Sequence, residues 1–135
     1  MTARGIRNQN PGNIRKGDDW DGLSEVQDDP EFCTFDAPVM GIRAMAKILL
    51  TYQRKYALWS VAGMIGRWAP PSENDTVSYV AHVAEAMGVE PDWEIDLTEI
   101  PDSFRAMLET MIKHECGEQP YPALTISHAI DLAMA

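Results

Sequence analysis

The stretch "DSFRAMLETMIKHECG", Asp102 to Gly117, decides the fold class of this chain. Phe104, Leu108, Met111 and Ile112 recur at helical spacing, so the segment reads as an amphipathic helix with one face turned inward. Asp102 supplies a polar cap at its start, and Gly117 stands at the C′ position, where a left-handed residue ends a helix. Glu115 breaks the pattern. At about 100° per residue it points within roughly 20° of both Phe104 and Leu108, so a carboxylate closes the apolar stripe. Two roles are open to it. One is a general acid whose pKa is raised by partial desolvation. The other is a last-turn glutamate that bonds backbone or an arginine, or frays outward. His114 is its neighbour, but adjacent helix residues diverge, so the two need not act as a pair.

The same period runs through most of the chain. Asp36, followed by Pro38, opens a helix to about Tyr56 whose stripe is Ile42, Met45, Ala46, Leu49 and Tyr52. Ser60 caps a shorter helix over Val61–Trp68, stopped by Pro70 and Pro71. "ENDT" (73–76) caps a helix marked by Val77, Val80, Ala84 and Met87 and ended by Gly88. The acid-rich "VEPDWEIDLTEIPD" (89–102) reads as a loop, and a last helix covers roughly Thr125–Met134. Residues 1–36 are irregular. Their strand-like pieces, Leu23–Val26 and Phe32–Phe35, flank "QDDPE" and suit a small hairpin. The expected fold is mainly α, about five helices in a single domain over 1–135, with a small N-terminal β-hairpin or irregular region.

Composition bounds the function. The chain has 135 residues, 45% hydrophobic and 24% charged, with a net charge of −10. Such an acidic chain is no general nucleic-acid binder, because phosphate neutralisation needs a basic face. No apolar run reaches membrane-spanning length and no signal-peptide core is present, so neither a membrane partner nor a secretion signal is expected. Cys33 and Cys116 are expected as free, buried thiols. Metal-ligand clusters, a serine-hydrolase elbow and a phosphate loop are all missing, so no metal and no cofactor are expected.

Against that acidity, "RGIRNQNPGNIRKG" (4–17) places Arg4, Arg7, Arg15 and Lys16 before the first acid, Asp18. Broken by glycine and rich in amides, it is expected to form neither a regular helix nor a clean strand, and to serve as a cationic wall of a pocket.

Five ordered pieces together resemble a family of small phage virion proteins with lysozyme-like domains. They are "RGIRNQNPGNIR", "DDWDGL", "FDAPVMGIRAMAKILLTYQRKY", "RWAPPSENDTVSYVAHVA" and "MIKHECGEQPY". In relatives the first usually reads RGIRNNNPGNI and the last HENG; here Gln9 and Cys116 stand where asparagines are typical. The same pieces are similar to a reordered glucosaminidase or lytic transglycosylase. "NPGNIR" resembles the amide segment of those enzymes, "EVQDDPEFCTF" the hairpin, and "ENDTVSYVAHV" the tyrosine-bearing helix. "FRAMLETMIKHECG" resembles the glutamate helix that precedes the amide segment there, moved to the C-terminal end by circular permutation.

The resemblance implies a peptidoglycan-degrading glycosidase carried in a phage virion: a muramidase, glucosaminidase or lytic transglycosylase. It would be made in the host cytoplasm and act at the host cell wall. Glu115 becomes the catalytic acid, and Glu25 on the hairpin the second carboxylate, ahead of Asp28 and Asp29. Tyr79 would bond the substrate or orient Glu115. Asn10 and Asn13 are the expected sugar contacts, because planar amides read sugars and N-acetyl groups. Arg7 or Arg15 would meet a lactyl or stem-peptide carboxylate, and Trp68 would stack on a sugar face. The alternative is a catalytically inactive lysozyme-like virion or tail protein that binds glycan or another phage protein, with the acidic 85–102 stretch and Trp93 as a docking surface.

Overall fold

A computed structural model of the chain describes residues 2–135. Those residues form six α-helices and one 3-10 turn: α1 (Arg4–Arg7), α2 (Pro38–Tyr56), α3 (Val61–Trp68), α4 (Thr76–Met87), the turn Leu97–Glu99, α5 (Pro101–Cys116) and α6 (Ala123–Met134). The fold is mainly helical. α2 packs chiefly against α6, and α4 against α5, with α3 set beside α4. The stripes meet in one cluster in which Ile42, Met45, Leu49, Met64, Ile65, Phe104, Leu108 and Met111 are fully buried.

Caps explain most helix boundaries. Ser60 accepts from the Gly63 N–H at 3.1 Å, and Asp75 accepts from the Ser78 N–H at 3.2 Å. Gly88 and Gly117 end α4 and α5 with φ of 73° and 76°. Two expected caps are corrected. Asp36 is exposed and caps nothing; Pro38 takes the first helical position and holds Ala37 extended, so the cap position falls on Ala37. Asp102 lies inside α5 and pairs with Arg105 at 3.3 Å, because Pro101 opens that helix.

The acidic 89–102 segment is not a plain loop. Gln53, buried in α2, donates to the Ile95 carbonyl at 2.8 Å and accepts from the Leu97 N–H at 3.3 Å. Those bonds seat the 3-10 turn and bury Leu97, while Trp93 stays 54% exposed.

The N-terminal region departs furthest from expectation. Residues Arg4–Arg7 form one helical turn in place of wholly irregular chain. The expected hairpin reduces to one isolated antiparallel bridge, Leu23 with Phe35, and Phe32 bridges instead to Arg15, outside that hairpin. Asp29 explains why a ladder does not form. Its carboxylate is buried and accepts from Arg4 Nε at 2.6 Å, Arg4 Nη2 at 2.7 Å, Asn8 at 3.0 Å, and the Glu31 and Phe32 N–H groups at 2.8 and 3.0 Å. The turn is thus organised around a carboxylate, and Pro30 removes a ladder donor. Gln27 closes the rest by bonding Ser24 and Thr34 through its side chain. α2 presses directly on this region: any side chain at Gly41 would collide with the Gln9 carbonyl.

Candidate active site

Glu115 sits in the last turn of α5, above the buried Phe104, Leu108 and Met111. Its place on the apolar stripe leaves it half-buried. α4 brings Tyr79, only 4% exposed, to the same point, and the Tyr79 hydroxyl donates to Glu115 Oε2 at 3.1 Å. The amide segment closes from the other side. Asn13 Nδ2 donates to the Glu115 carbonyl at 3.4 Å, and Cys116 Sγ lies 3.3 Å from the Pro11 carbonyl. Burial pushes the Glu115 carboxyl above the usual carboxylate range, while the polar groups of Tyr79, Trp68 and Asn13 favour its ionised form. Burial, and then the Glu115 charge, push the Tyr79 phenol up, so it stays protonated and remains a donor.

Glu115 lines a cleft of about 420 Å³ together with Gly12, Asn13, Arg15, Phe32, Tyr52, Trp68, Glu73 and Asn74. The cleft offers amides, aromatic faces, one guanidinium and two carboxylates. Such a surface suits a polyhydroxylated ligand better than a wholly apolar one. Among the described residues no group of three or more His, Cys, Asp or Glu side chains is placed to hold a metal ion. No described helix is long and apolar enough to cross a membrane.

The chain is 44% identical over 123 residues to Protein P5 of Pseudoalteromonas phage PM2, an alignment that covers 88% of this chain and 74% of that protein. It belongs to the Protein P5 family. No family model matches the sequence.

Of the expected site residues, this P5-family chain brings Glu115, Asn13, Arg15 and Trp68 to one cleft, with Tyr79 behind Glu115. Three others lie elsewhere. Asn10 is fully buried: its amide donates to the Ile14 and Cys33 carbonyls and accepts from the Ile14 N–H, each at 3.0 Å, so it braces the segment and cannot touch a ligand. Glu25 is exposed and outside the cleft lining, since the hairpin meant to present it is not formed. Arg7 is exposed and donates to the Thr2 carbonyl at 2.8 Å, also outside the cleft. Asp29, ranked behind Glu25 as a second carboxylate, is the buried hub described above, and the Arg4 guanidinium holds it well below the usual carboxylate range.

Half of the cationic wall is self-neutralised. Arg4 pairs with Asp29, and Arg15 with Glu31 at 3.2 Å. Both cysteines of the P5-family chain are free; Cys33 is buried and Cys116 half-buried, with its thiol pushed up to about 11 by burial. Sequence reasoning missed Glu73, which hid inside a capping cluster, Tyr52, which read as part of an apolar helix stripe, and Phe32, which read as part of a strand.

Proposed function

We propose that this phage-family chain is a peptidoglycan-degrading glycosidase of the virion, with Glu115 as its general acid. The observation that carries the reading is the half-buried Glu115 carboxyl, bonded by Tyr79 and opening on a cleft lined by Asn13, Trp68 and Arg15. Burial raises the Glu115 carboxyl above the usual range and so favours its protonated form, which can donate to the glycosidic oxygen as the C1–O bond breaks and oxocarbenium character develops on the sugar. Asn13 and Arg15 would bond acetamido, hydroxyl and carboxylate groups, and Trp68 would lie against a ring. Glu73 is the other carboxylate lining the cleft, and it replaces Glu25 as the group that would activate water. If the muramic 6-hydroxyl attacks instead, Glu115 serves as acid and then base, and Glu73 is dispensable. The phage relative supports a role during infection.

The test is digestion of purified peptidoglycan between about pH 4 and pH 8, followed by muropeptide mass analysis. Removing the acid by Glu115→Gln should cost about 100-fold or more in rate. Full activity in that variant would sink the assignment. Anhydro-muropeptides, one water lighter, with an active Glu73→Gln variant, would select the transglycosylase. No muropeptide release from the wild-type chain at any pH would select the non-catalytic virion protein.

A further inference from the structure

The chain of contacts that reaches Glu115 does not stop at Tyr79. His114, on the solvent side of α5, lies flat on the Tyr79 ring, with centroids 4.2 Å apart and planes 13° from parallel. Its Nε2 stands 2.9 Å from Nδ1 of His82 on α4. Tyr79 and His82 are three residues apart and share one face of α4, so the same two helices are joined both by the histidine pair and by the Tyr79–Glu115 bond. We propose that His114, tethered by His82, is a positioning residue for Tyr79 and through it for the Glu115 carboxyl. This rests on the reading of Glu115 as the general acid.

The physics is local. Both histidines are exposed, yet Tyr79 is 4% exposed, so the imidazole plate is what covers that face of the phenol. Without it, water reaches the ring face and the ring gains freedom about its side-chain torsions. The hydroxyl contact at 3.1 Å is already just past the usual range of an O–H···O bond, so small excursions break it. An exposed imidazole turns freely unless tethered. The N···N contact supplies the tether, one neutral ring donating its N–H to the lone pair of the other. Partial burial against Tyr79, with His82 second, holds the His114 pKa below the usual histidine value, which favours the neutral His114 ring. The sequence could not reveal this: His114 and Glu115 diverge around the helix and meet only through Tyr79.

The experiment follows the Glu115 carboxyl by carbon-13 NMR titration of the full chain, beside kinetics on peptidoglycan. In His114→Ala the Glu115 carboxyl should titrate higher than in wild type, because the Tyr79 bond that favours its ionised form is lost. Turnover should fall about tenfold with KM changed less than about twofold. His114→Phe restores a flat plate and should return both readouts close to wild type. Tyr79→Phe should raise the Glu115 titration as His114→Ala does, and the double variant should add nothing further. A Glu115 titration unchanged in His114→Ala overturns the proposal, as does a His114→Phe variant no better than alanine. Absence of muropeptide release by the wild-type chain overturns the glycosidase reading instead, and the titration still decides whether His114 positions Tyr79.

Discussion

Glu115 answers to two demands that pull apart. Its stripe position buries it, and burial raises its pKa above the unfolded value. A carboxyl raised on folding favours the native state while protonated, and that contribution is lost as pH rises through the folded pKa. Glu115→Gln should therefore remove activity while leaving the urea midpoint at pH 7 equal to or above wild type, an outcome read by chemical unfolding. A lower midpoint would mean that the carboxylate is structural. Gln9 is the second residue of note. It adopts φ of 56°, a left-handed conformation that glutamine populates poorly and asparagine tolerates, and no side-chain hydrogen bond from another described residue holds it. Gln9→Asn should stabilise the fold by about 0.5 kcal/mol, measurable as a raised urea midpoint with unchanged slope. Asn13, with φ of 50°, already has the residue its backbone prefers. At this scale Glu115 was legible because a helix face can be counted. Asn10 was not, because whether an amide faces ligand or backbone depends on what the fold places around it.

Element by element, helices were readable, and so was the Ser60 cap of α3, but the first residues of α2 and α5 were not. A proline moved the cap position by one residue in α2, and Pro101 left Asp102 inside α5. The α2 C-terminus falls at Tyr56, where the sequence reading put it, but its cap geometry was not legible. Ala57 there adopts φ of 54° and the N–H of the following Leu58 bonds the Tyr52 carbonyl at 3.1 Å, the cap geometry that glycine fills without a Cβ penalty. Ala57→Gly should raise stability by about 0.5–1 kcal/mol, and thermal unfolding should show the midpoint rising by a few degrees. A fall would mean that backbone entropy outweighs the left-handed strain. The hairpin failed for a different reason. Alternation in short segments describes strands only if backbone groups pair with each other, and here Asp29 and Gln27 occupy them.

For the whole molecule, the relevant quantity is how its acids are used. The chain carries 21 acidic residues, yet Asp29 is the one that gathers two guanidinium bonds, an amide and two backbone N–H groups. Its folded pKa is depressed, so its contribution is full above the unfolded value of about 3.9 and is lost as pH falls below that. Asp29→Asn should lower the unfolding midpoint at pH 7, and the gap to wild type should narrow at pH 3. A gap that is the same at both pH values would show that the charge of Asp29 is irrelevant.

Sequence by itself determined the helical class, the stripes that build the core and the oddity of Glu115, because those follow from local spacing at 3.6 residues per turn. Tertiary structure alone decided which carboxylates and amides face the cleft. Residues such as Asn13, Glu73, Tyr79 and Glu115 lie on separate segments, and only the packing of α4 on α5 and the approach of the amide segment to the end of α5 set their distances. The opening cations show the same division: their abundance was visible in the chain, but their pairing with Asp29 and Glu31 required the turn that brings the two segments together.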